Sequence, residues 1–123
     1  MRNARIFLGL GAALLLATAA IHASGHSMVE PWLDGQRGAV LSLLWFTLSI
    51  DWVLVALVWA WGAARPDPRL ALPAGILAFV PAVAAIQILV AAGPGFFGIW
   101  LLAGSAALAL AGAFVLHKGM APA

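Results

Sequence analysis

Four long apolar blocks alternate with short polar or turn-forming stretches along this chain. The first runs from about Ile6 to Ala23, the second from Ala39 to Gly62, the third from Leu70 to Ala92 and the fourth from Phe97 to Leu116. Each holds roughly 18–24 residues, enough for a helix rising about 1.5 Å per residue to cross a hydrocarbon core of about 30 Å. In lipid the backbone must satisfy its own hydrogen bonds, so the blocks are predicted as helices. Between them lie the polar segment ASGHSMVEPWLDGQRG, the two-proline loop AARPDPR and the tight connection GPG at Gly93–Gly95. The expected fold is all-α and integral to the membrane: four transmembrane helices in an antiparallel up-down bundle, forming one domain over residues 1–123.

Composition supports that class. The 123 residues are 65% hydrophobic and only 8% charged, with a mean hydropathy of +1.09. So few charges cannot cover a soluble surface. The pI of about 10.6 rests on a net charge of only +2, so the bilayer, not nucleic acid, is the expected partner. The basic residues act as topology signals. Arg2, Arg5, Arg65, Arg69 and Lys118 fall on one side if all four blocks span, and only Arg37 on the other. Both termini are therefore expected in the cytoplasm of a bacterium, with the protein multi-pass in the inner membrane. The start MRNARIFLGLGAALLLATAA also suits a cleaved signal peptide. Its apolar stretch, however, exceeds the usual ~7–15 residues.

The polar groups are few and one-sided. Counted from the outer helix ends, His22 is expected about 3 Å deep, Gln87 about 8 Å, Thr18 about 9 Å, Thr47 and Ser105 about 12 Å, and Asp51 about 17 Å, near mid-membrane. From Asp51 to the cytoplasmic side the blocks are purely apolar. At about 100° per residue, Asp51 shares a face with Val40, Leu44, Thr47, Val55, Val58 and Gly62, and that face is expected to look into the bundle, since an aspartate facing lipid costs about 2.5–3.5 kcal/mol. Two readings of Asp51 stay open. It is a clamp bonded to Thr47, Ser105 or a carbonyl freed by a kink at Pro81, or it belongs to a ligand site with His22, Thr18, Thr47 and Gln87. Trp45, Trp52 and Trp59 recur every seventh residue on another face, expected to serve packing and interfacial anchoring. Rows of small residues suit close helix approach: Gly9, Ala13 and Ala17; Ala74, Ala78 and Ala82; Ser105, Ala109 and Ala113.

A weak metal pattern sits at the first loop, where His22, His26, Glu30 and Asp34 recur every fourth residue. His and carboxylate suit zinc, iron or copper, but Gly25 and Pro31 argue against one unbroken helix. With no cysteine, thiolate metal sites, iron–sulfur clusters and covalent c-type haem are excluded. His117 lies at the opposite membrane face from His22, so a bis-histidine haem across the bundle is not available. No particular cofactor is indicated.

The stretches AIHASG, LLWFTLSIDW and GPGFFGIWLLAGSAALALAG together resemble a group of small four-helix bacterial inner-membrane proteins of unassigned function. In that group the first helix tends to end in Ile-His, the second carries a Trp often followed by His, and the fourth opens with Gly and Trp. Ile21, His22 and Trp100 fit, whereas Phe46 follows Trp45 in place of His, so a two-histidine site is not carried over. The resemblance implies the four-helix topology.

No nucleotide loop, nucleophile elbow or paired catalytic carboxylate is present, and the enzyme reading lacks a motif. The leading expectation is a non-enzymatic accessory or assembly subunit that interacts through its helices, in a larger membrane complex or a homo-oligomer. The alternative is a small-molecule, quinone, lipid or metal site open to the outer side and lined by His22, Thr47, Asp51 and Gln87. A proton-coupled transporter ranks last, because the inner half offers no polar path.

Overall fold

A computed structural model describes residues 1–119. The described chain is helical with no strands: α1 (Arg2–Val29), α2 (Gly35–Ala64), α3 (Ala71–Leu77), α4 (Phe79–Ala92) and α5 (Phe97–Lys118), with 3-10 turns at Glu30–Trp32 and Pro68–Leu70. Among the described residues, four helical spans are long and apolar enough to cross a membrane, the third made of the Pro68–Leu70 turn, α3 and α4 together. The four-helix, all-α expectation holds.

The first connection differs from the expected polar loop. Helix α1 continues through Gly25 to Val29, and α2 begins at Gly35. At about 1.5 Å per residue they are roughly 42 and 45 Å long, well beyond a 30 Å hydrocarbon core. The polar letters that look like loop sit on helix ends standing clear of that core, where backbone hydrogen bonding still favours helix. The turn closes tightly. Gly35 takes a positive φ of 61°, and a Cβ on Gly38 would strike the backbone of Leu33. Only glycine fits the second position without moving the chain.

The third span breaks where Pro81 requires it. Proline lacks the N–H that would bond the carbonyl one turn earlier, at Leu77, and the helix divides at Ala78. The opened turn leaves the Ala74 carbonyl able to accept twice, from the Ala78 amide at 3.3 Å and from the Trp59 indole N–H at 3.2 Å. Trp59 is fully buried and ties α2 to α3. Trp59→Phe keeps the ring and loses the bond, so it should cost about 0.5–1.5 kcal/mol, read as a shift in the unfolding midpoint in mild detergent.

Helix α1, whose composition also suits a leader, is one of the two inner helices of the bundle, with α5. It packs along α2 on one side and α5 on the other, while α5 also carries α3 and α4. Its buried residues are Ala4, Leu8, Gly11, Ala12, Leu15, Thr18 and Ala19. The small-residue rows behave unequally. Ser105, Ala109 and Ala113 are buried, and so are Ala74 and Ala78, but Ala13 and Ala17 face outward. Helix α2 meets the rest of the bundle chiefly through α1, with a smaller contact to α3. Much of its circumference is therefore open: Leu43, Leu44, Ile50, Leu54 and Leu57 are all exposed.

Candidate functional site

The face that α2 turns inward carries Ser49, Trp52, Val55, Ala56, Trp59 and Gly62, all buried, with Ser42 and Trp45 half-buried beside them. Ser42, Trp45, Ser49, Trp52, Ala56 and Trp59 alternate at spacings of three and four, the spacing of one helical stripe. Opposite them on α1 stand His22 and His26, one turn apart. The His22 Nδ1 pairs with the Ser49 hydroxyl at 2.8 Å, and the His26 Nε2 with the Ser42 hydroxyl at 2.9 Å. The Trp45 indole donates to the His22 carbonyl at 2.7 Å. The His22 ring stacks on Trp45, centroids 4.3 Å apart and planes 11° from parallel, and meets Trp52 edgewise at 5.0 Å. His26 lies 4.7 Å from the Phe46 ring. Gly25, between the two histidines, leaves room for the edge of Trp45, which would lie 3.5 Å from an added Cβ.

This is a helix-to-helix seam in which each histidine of α1 is matched by a serine of α2. Trp52 stands apart: its indole N–H is buried without a hydrogen-bond partner. A donor left so costs about 1–3 kcal/mol, offset by burying the largest side chain of the seam.

The structure divides the expected site. Thr18 is buried on the inward side of α1, and its hydroxyl donates to the Leu14 carbonyl of its own helix at 2.8 Å. His22 is half-buried in the seam. Thr47, Asp51 and Gln87 are exposed and do not gather with His22. The expectation that the Asp51 face looks into the bundle is thus reversed. The tryptophan face is inside, and Asp51, about 100° away, points out. The reason is specific packing: Trp45 and Trp59 donate to carbonyls of α1 and α3 and Trp52 meets His22 edgewise, contacts the Thr47–Asp51 stripe could not make. Neither hydroxyl expected to hold Asp51 does so, since Thr47 donates to the Leu43 carbonyl and Ser105 to that of Leu102.

Relative depth changes too. His22, expected more than 10 Å nearer the surface than Asp51, bonds Ser49, two residues from Asp51, and is therefore at much the same level. The error lay in ending the first helix at Ala23 when it ends at Val29. The exposed tryptophans are others than those of the seam. Trp32, Trp61 and Trp100 are exposed, Trp61 with the Arg65 guanidinium 5.0 Å from its ring centroid and Trp100 donating to the Pro94 carbonyl at 3.3 Å.

The metal pattern does not assemble. Both imidazoles are engaged by serines of α2, and Glu30 lies exposed in the turn after α1. Among the described residues no group of three or more His, Asp or Glu side chains could hold a metal ion. The serines were the missed partners. Their signal was the three-four spacing with the tryptophans, which marks a single inward stripe.

Comparison with family models, with curated proteins and with solved structures gives no match for this chain.

Proposed function

We propose that the chain is a non-enzymatic accessory or assembly subunit of a bacterial inner-membrane complex, with both termini cytoplasmic, that docks through the open face of α2. One observation carries this reading: an exposed aspartate within the span. At about 1.5 Å per residue Asp51 lies some 21 Å from Arg65, inside a hydrocarbon core of about 30 Å. Facing lipid there costs about 2.5–3.5 kcal/mol, and the fold gains nothing evident from it. A partner helix removes that cost. With Leu44, Thr47 and Val58, Asp51 forms one exposed stripe, apolar at both ends and polar at its centre.

The partner is a helix of a different protein bearing a hydrogen-bond donor or a cation at that depth. The apolar blocks of this chain hold no Lys or Arg, so a second copy on this face would set carboxyl against carboxyl. A photoreactive side chain at Leu44 or Val58 should crosslink one defined membrane partner in native membranes, and one at Leu57, on another exposed part of α2, should not. Asp51→Leu should abolish the crosslink without lowering the unfolding midpoint of the isolated chain. A crosslink to another copy of this chain, or an unchanged pattern in Asp51→Leu, would rule out the proposed partner.

A further inference from the structure

On the other side of the molecule from the His–Trp seam, α3 and α5 leave a groove of about 690 Å³ between them. Its floor is made of small residues. Gly75 lies so close to α5 that an added Cβ would sit 3.6 Å from that of Ala113. Leu72 and Phe79 form one wall, Leu110 and Phe114 the other, and the groove runs to His117 at the end of α5. From Leu110 to His117 it extends about 10 Å along the helix axis. It is apolar until that end, where the chemistry changes. The Lys118 ammonium stands over the Phe114 ring, 4.6 Å from its centroid, so a cation is held directly against a residue that lines the groove. The Pro68–Leu70 turn packs against α5 as well and brings Arg69 to the same end of the molecule. The one acidic residue in that turn region, Asp67, has its carboxylate occupied in capping the Arg69 amide at 2.8 Å.

We infer that this groove is a binding site for an anionic glycerophospholipid, with an acyl chain between α3 and α5 and the phosphate against Lys118 and His117. The groove lies open between two of the apolar spans, where lipid tails lie. Its cations stand at one end only, as a lipid with one charged end requires. Arg2, Arg5, Arg65, Arg69 and Lys118 make that end of the chain strongly basic, which matches an anionic headgroup and not a zwitterionic one. The site shares no residue with the exposed α2 stripe, so it stands or falls separately from the partner proposed above.

The test is native mass spectrometry of the delipidated full chain, titrated with phosphatidylglycerol or with phosphatidylcholine carrying the same acyl chains. The wild type should retain one phosphatidylglycerol with at least about fivefold preference, the factor that one surface cation contributes. Lys118→Gln combined with His117→Gln should remove the preference and leave weak binding of both lipids. Gly75→Leu, which fills the floor, should weaken both. Leu110→Trp narrows the groove from its lipid-facing wall and should do the same in a variant with no change in the helix contact. Equal retention of the two lipids by the wild type, or undiminished phosphatidylglycerol retention in both groove-filling variants, would overturn the assignment.

Discussion

Replacing Gly112 by leucine should separate α1 from α5 and destabilise the bundle by about 3 kcal/mol. A Cβ at Gly112 would stand 2.7 Å from Leu8 Cγ, 2.9 Å from its Cδ2 and 3.2 Å from its backbone nitrogen. The side chain of Leu8 is fully buried and has little space to retreat into, and the nitrogen moves only with the helix. The opposing helix is also close, though less so, since a Cβ at Gly11 would lie 3.2 Å from the Ser105 carbonyl oxygen and 3.4 Å from the Ala109 nitrogen. Close backbone approach of this kind gives van der Waals contact in a solvent where apolar burial contributes little between helices. Gly112→Ala should cost less, about 1–2 kcal/mol. Gly95→Ala, with open space around it, should stay within about 0.5 kcal/mol. Unfolding by titrated SDS in mild detergent, followed by tryptophan fluorescence, checks all three. Equal midpoints for Gly112→Leu and Gly95→Ala would mean that α1 and α5 are not held this closely.

His22→Ala should cost about 2–4 kcal/mol in the same assay. The substitution removes the ring stacked on Trp45, its edge contact with Trp52 and the bond to Ser49. Ser49→Ala alone should cost about 0.5–1.5 kcal/mol, because it deletes the hydrogen bond and keeps the stack. Combined with His22→Ala it should add little, since the two changes remove one shared contact. Strict additivity would show that His22 and Ser49 do not act together. The contrast with Asp51→Leu is informative. Two polar residues at one level of the membrane should respond oppositely, His22 through folding and Asp51 through assembly.

How much of this was readable beforehand depends on the residue. The helix count, the third-span kink at Pro81 and the tight Gly93–Gly95 connection follow from local rules: a 30 Å apolar requirement, a missing N–H, and a turn too short for anything but antiparallel neighbours. The relative depth and the arrangement of the polar residues were not legible, because α1 ends at Val29 and not at Ala23. Asp51 suggested an inward face because the rule against lipid-exposed carboxylates was applied to a single chain, whereas the open face of α2 satisfies it only in an assembly. The length of α1 was misread for a related reason. Gly25 and Pro31 are turn-formers in isolation, but Gly25 sits inside α1 against the edge of Trp45, and Pro31 falls in the turn after it.

The sequence by itself determined that this chain builds four lipid-length helices with five of its six Lys and Arg residues at one end, because length, hydropathy and charge act residue by residue. Only the tertiary structure decided which face of α2 is buried, that α1 and α5 form the inner pair, and that His22 meets Ser49 and Trp45 while Asp51 is left outside. Those outcomes turn on pairwise fit between helices, in which three indoles and two glycine contacts outweigh the placement of one carboxylate.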